Sequence, residues 1–124
     1  MIKFISLEHI QHGIEVVANG AVYDLHNAAD FTEHHFDSEK RHLTLSWDYW
    51  DYDTSRVVSK IWLTFSGVES LVTSKIDESL PEEEGLCLER MTVDRVSGEV
   101  DVLFRSELGF KFKCTEITFR NLKV

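Results

Sequence analysis

The amino-acid sequence predicts an all-β protein, mainly antiparallel, built as a β-sandwich or partly open barrel from sequential hairpins, with at most short helices. Three observations predict it. Apolar residues recur at every second position through much of the chain, as in strands that bury one face. Turn signals separate these runs at intervals of about eight to twelve residues. No run is long and periodic enough for a major helix. At 124 residues the chain is a single globular domain, 1–124, large enough to bury roughly two-thirds of its unfolded surface. One Pro and six Gly argue against a linker-rich or disordered architecture.

Residues 1–7 can form an edge strand. Residues 14–25, IEVVANGAVYDL, carry the strongest local signal. Asn19-Gly20 tolerates the positive φ angles of a type I′ turn, the preferred two-residue hairpin connection. That turn pairs Ala18 with Ala21, Val17 with Val22, Val16 with Tyr23 and Ile14 with Leu25. The core face then holds Ile14, Val16, Ala18, Ala21, Tyr23 and Leu25, and the other holds Glu15, Val17, Val22 and Asp24. For residues 26–40 two readings compete. Asn27 can cap a short helix, or residues 30–37 form a strand that turns at Ser38-Glu39. The strand is favoured because it makes a meander with the central hairpin.

The centre of the chain, residues 41–66, reads as a hairpin whose register can be tested for self-consistency. Leu43, Leu45, Trp47 and Tyr49 alternate in one arm, and Ile61, Leu63 and Phe65 in the other. Placing Trp47 opposite Ile61 sets Leu45 against Leu63 and Leu43 against Phe65. The other face then pairs Thr44 with Thr64, Asp48 with Lys60 and Trp50 with Val58. Each is a favourable cross-strand pair, worth roughly 0.2–1 kcal/mol. A slip of one residue would set apolar side chains against polar ones.

Beyond Phe65, Gly67 marks a bulge or a tight turn into a further strand. Residues 77–85, DESLPEEEG, read as an exposed acidic loop. Residues 86–93 carry Cys87, Met91 and Val93 on one parity. Val100, Val102 and Phe104 alternate after the Ser97-Gly98 turn, and Phe110, Phe112 and Cys114 after Glu107-Leu108-Gly109. Parity then switches to Ile117 and Phe119. A bulge near Thr115-Glu116, or burial of both faces, accounts for the switch.

The formal net charge is −9. A phosphate backbone or an anionic membrane surface is disfavoured as a partner by that field, and a basic protein is favoured. The bland alternative is that the charge keeps a cytosolic domain of bacterial type soluble. The N-terminal residues lack the h-region of a signal peptide, and no apolar run approaches the roughly 20 residues of a membrane span. A cytoplasmic location is expected. The two cysteines, Cys87 and Cys114, are expected to be reduced thiols. Neither lies in a CxxC motif or next to a His in the sequence, so redox and metal roles lack support.

No GxSxG, GxGxxG, P-loop or HExxH motif occurs, and no catalytic residue or cofactor is assigned. His34 and His35 are adjacent, so in a strand they point to opposite faces. The strongest hint of a metal is Glu15 opposite Asp24, with His26 on the same side, because a cation would relieve the like charges. The run WDYWDYD, residues 47–53, interleaves aromatics with acids, as cation-binding and sugar-stacking platforms do. Trp50 and Trp62 share the outer face of the central hairpin, which is either a recognition surface or partly covered by another segment. Large side chains usually bury most of their area, which favours cover.

These features point to a non-enzymatic, acidic, intracellular protein-binding module, of the inhibitor or immunity type, that masks a basic target. Its candidate binding residues are Trp50, Tyr52, Asp51 and Asp53 at the central loop, Trp62 on the sheet, and Glu82, Glu83 and Glu84 in the acidic loop. The alternatives are a sugar- or small-ligand-binding domain using the Trp-bearing face, and a small metal-dependent enzyme using Glu15, Asp24 and His26.

Overall fold

The computed structural model describes residues 1–51, 53–74 and 87–124. Among them are twelve strands and no helix: β1 (Lys3–Ile5), β2 (His9–Gln11), β3 (Glu15–Ala18), β4 (Ala21–Asp24), β5 (Ala29–Asp37), β6 (His42–Asp51), β7 (Arg56–Ser66), β8 (Glu69–Ser74), β9 (Leu88–Val93), β10 (Glu99–Phe104), β11 (Gly109–Lys113) and β12 (Glu116–Lys123). They form a five-stranded sheet in the order β1-β12-β7-β6-β5, a four-stranded sheet β8-β11-β10-β9 and a three-stranded sheet β2-β3-β4. The sheets do not close into a barrel, and the architecture is of the β-sandwich type. The acidic loop at residues 77–85, with Glu82, Glu83 and Glu84, lies outside the described residues, as does Tyr52.

The central hairpin adopts the register its alternation demands. Trp47 faces Ile61, Leu45 faces Leu63, Leu43 faces Phe65 and Asp48 faces Lys60. All six apolar members of those pairs are buried. Near the loop the structure departs from the alternation. Trp50 pairs with Val57, not Val58, and Asp51 with Arg56. The turn closes through a hydrogen bond from the Ser55 N–H to the Asp51 carbonyl, 2.8 Å, with Ser55 at φ 54°. That closure takes one residue fewer than the even register would leave for the loop, so Val58 is left over as a β-bulge.

The Asn19-Gly20 hairpin also has its expected register, with both turn residues at positive φ (53° and 76°). Its core face is less even than the alternation implies. Val16, Ala18 and Leu25 are buried, Ile14 and Tyr23 are half-buried, and Ala21 is exposed. Val17, on the opposite face, is buried as well. The preceding β2 pairs with β3, a strand too short to announce itself by periodicity. Residues 29–37 form the expected strand, β5, and Asn27 caps no helix.

The two parity breaks have one cause. After Phe65 the chain turns at Gly67 and leaves the five-stranded sheet for β8 in the facing one. After Cys114 it returns through Thr115 to β12. At each corner the core lies on the other side of the chain, so the buried parity changes without a bulge inside one strand. The corners lie against each other: the Thr115 N–H donates to the Ser66 carbonyl, 2.9 Å, and its hydroxyl donates to the same carbonyl, 3.3 Å. Gly67 has φ +67°, and a Cβ there would fall 2.4 Å from Thr115 Oγ1. Only glycine meets both demands. In β9 the buried residues are Leu88 and Met91, not Cys87 and Met91, because the register with β10 shifts between Leu103 and Phe104.

One core fills the space between the layers. Phe31 meets Phe104 with ring centroids 4.3 Å apart, and Phe65 meets Phe112 at 5.0 Å. Tyr23 of the small sheet packs on Tyr49 and Phe119 at 5.4 and 5.1 Å. The N-terminal strand is the exception to antiparallel pairing. β1 runs parallel to β12 and is clamped by Arg95, whose guanidinium lies 4.0 Å from the Phe4 ring centroid and donates to the Ile2 carbonyl.

Trp47 is fully buried, and its Nε1 has no hydrogen-bond partner among the described residues. Its burial is therefore driven by packing alone, against the cost of an unpaired donor. Trp47→Ala is expected to cost about 3–5 kcal/mol. Urea denaturation checks this, and a loss under about 1 kcal/mol would contradict a packed site.

Candidate functional site

The outer face of the five-stranded sheet is fixed by its registers. Side chains that alternate away from the core form rows across β5, β6, β7 and β12. One row is His35, Thr44, Thr64 and Thr118. The next is Glu33, Ser46, Trp62 and Arg120. A third is Asp30, Asp48, Lys60 and Leu122. Trp50 follows, beside the bulged Val58, whose carbonyl accepts from the Val124 N–H. Acids collect toward β5 and β6, and cations toward β7 and β12.

Both tryptophans on this face are half-buried. The Trp50 indole N–H donates to Asp30 Oδ2 at 2.8 Å, which fixes its ring beside the acids. Trp62 is held differently: the Arg120 guanidinium lies 4.9 Å and the Lys60 ammonium 5.9 Å from its ring centroid. Those cation–π contacts each contribute about 0.5–1 kcal/mol at an exposed site and occupy the surface on which a sugar would stack. The face is open at Val58, Leu122 and Val124, which are 37%, 55% and 88% exposed. The described strands of the other two sheets pack on the inner side. At the hairpin loop, Asp51 accepts from the Asp53 N–H through Oδ1 at 3.0 Å. The structure thus brings Trp50, Asp51 and Asp53 to one end of the sheet, with Asp30 and Asp48 adjoining, and sets Trp62 two rows away.

Glu15 and Asp24 are opposite one another, as the turn requires, but their donor atoms do not converge with His26. Asp24 Oδ1 accepts from the backbone N–H groups of His26 and Asn27 at 2.9 and 2.8 Å, and Oδ2 accepts from the Asn27 side-chain amide at 2.9 Å. Partial burial opposes its ionisation, yet these bonds, the Asn27 N–H foremost, prevail and hold the carboxyl below its usual range. Glu15 turns toward Gln11, which donates to it at 3.2 Å. Among the described residues no three His, Cys, Asp or Glu side chains are grouped to hold a metal ion. His34 and His35 point to opposite faces, His34 inward against the rings of Phe31 and Phe110.

The structure also brings together a pair that no local motif announces. Cys87 Sγ lies 3.2 Å from His26 Nδ1, across 61 positions of sequence. Adjacent are Glu89, Arg105 and Glu107, which with His26 line an open groove of about 450 Å³. A thiol beside an imidazole invites comparison with a nucleophilic dyad. The hydrogen bonding says otherwise. His26 Nδ1 contacts the Leu88 carbonyl, which can only accept, so that nitrogen carries the proton. The thiol lies within reach of the His26 carbonyl at 3.4 Å and of Nε2 only at 4.0 Å. Burial raises the Cys87 pKa, outweighing Arg105, and Glu89, Asp30 and Asp24 add to the rise. The thiol therefore stays neutral near pH 7, and the cluster ties the loop after β4 to the start of β9. Both cysteines are free, and burial pushes the Cys114 thiol up to about 11.

Comparison of the chain with protein-family models, curated proteins and solved structures finds no match.

A raised thiol pKa means less thiolate at any pH below it. Iodoacetamide should therefore alkylate native Cys87 at pH 8 more slowly than free cysteine. Mass-spectrometric time courses check this. Alkylation faster than free cysteine would reveal an activated thiol.

Proposed function

We propose that this chain is a non-enzymatic, acidic, intracellular binding module that masks a basic protein target, in the manner of an inhibitor or immunity protein. The observation that carries the reading is Trp50. It is a half-buried aromatic, its ring held by Asp30 and bordered by Asp48 and Asp51. Interfaces draw most of their affinity from a few preorganised aromatic or Arg anchors, while rim charges set the association rate. An indole fixed among carboxylates offers both to a cationic surface. The net charge of −9 adds long-range attraction.

Three further features support the reading. The thiol–imidazole pair is committed to structural hydrogen bonds, which weighs against the enzymatic alternative. The cations on Trp62 weigh against sugar stacking. The free cysteines accord with a reducing compartment. No helix of the described residues is long and apolar enough to cross a membrane.

The test uses wild-type protein, Trp50→Ala, and the double variant Asp51→Asn, Asp53→Asn as parallel baits at low and high salt. A basic protein retained by wild type should bind Trp50→Ala with affinity lowered by about 2 kcal/mol or more, seen in its off-rate. The double variant should slow association severalfold at low salt and little at high salt, because charges beyond about 8–10 Å are screened. Retention only of acidic or neutral proteins, or indifference of the retained protein to both variants, would reject the reading.

A further inference from the structure

The open outer face is complementary to itself. Take a two-fold axis parallel to the strands, lying between β6 and β7 just above the sheet. It lays β5 of one copy over β12 of a second, and β6 over β7, with each row kept in step. Glu33 then meets Arg120 of the second copy, and Asp48 meets its Lys60. Thr44 meets Thr64, and Trp50 meets Val58. Every contact occurs twice, as an isologous interface requires. The other in-plane axis, perpendicular to the strands, lays β5 over β5 and brings Glu33 and Asp30 together across the interface. The charge pattern therefore favours the first axis over the second. Strands that stack in this way lie within about 30° of each other, as in ordinary aligned sheet packing.

We propose that a second copy of this chain occupies the face, docked sheet on sheet about that axis. The apolar components are already exposed: Val58 at 37%, Leu122 at 55% and Val124 at 88%. The patch spans four strands, about 19 Å at the usual strand spacing, and about 23 Å along them. With side-chain relief that is on the order of 600 Å² per copy, the lower end of specific interfaces. Weak, concentration-dependent association is expected, opposed by the repulsion of two chains of charge −9. The inference rests on the reading of this face as a docking surface. A second copy covers Trp50, so a basic partner would have to displace it, and self-association is then a resting state of the binding face.

The test exploits the distance between Glu33 and Arg120, which lie on strands separated by β6 and β7 and do not pair within one chain. Sedimentation equilibrium up to about millimolar concentration should show the 14.4 kDa chain passing to twice that mass. Glu33→Arg and Arg120→Glu should each weaken self-association more than roughly tenfold, because each sets like charges together twice. An equimolar mixture of the two variants restores both contacts and should form a heterodimer with wild-type affinity. Circular dichroism confirms that each variant is folded. A wild-type chain that stays monomeric at millimolar concentration overturns the second copy as occupant and leaves the basic-partner reading standing. A dimer unaffected by either variant, or not restored by mixing, overturns this docking mode.

Discussion

The register of β6 against β7 is the constraint on which the rest of this fold depends. Trp47 opposite Ile61 commits one face of the hairpin to the core and the other to solvent. Side chains in a strand alternate, so one residue of slip in β6 would turn Trp47 and Leu45 outward and bring Asp48 and Thr44 in. Both faces oppose that slip, one through lost burial and the other through desolvated charge. β5 and β12 then extend the sheet from either side of this pair, and the facing sheets close over it through Phe104, Phe112 and Tyr23. The same registers that build the core also arrange the outer rows, so the candidate binding surface is a by-product of how the core is packed.

Features set by neighbours in the chain were legible in the sequence. Asn19-Gly20 defines its hairpin because both residues accept positive φ, and the central register follows from alternation on two arms. Features set by distant partners were not. The switch of buried parity at Thr115 looks the same whether a strand bulges or the chain changes sheets. Only the contact of Gly67 with Thr115, 48 positions away, distinguishes the two. The bulge at Val58 depends on how the loop closes on Asp51. β1 joins β12 across nearly the whole chain, by a parallel pairing that no turn announces.

The candidate site was legible to the same degree. Trp50, Trp62, Asp48 and Lys60 were placed on one face by parity alone. What parity does not carry is side-chain commitment. Asp24 caps its own loop, which removes the donor set that Glu15, Asp24 and His26 would have made. His26 instead meets Cys87, and burial keeps that thiol in the neutral form. Arg120 reaches Trp62 from the adjacent strand and gives the outer face a basic side opposite its acidic one. A strongly acidic chain thus carries a bipolar outer face.

Cross-strand nuclear Overhauser contacts along β6 and β7 test the central claim most directly. The account predicts backbone contacts between Leu45 and Leu63 and between Trp47 and Ile61, then a shift of one residue that brings Trp50 to Val57. Contacts of Trp47 with Ser59 or Leu63 in place of Ile61, or an unbroken register that runs to Val58, would contradict it.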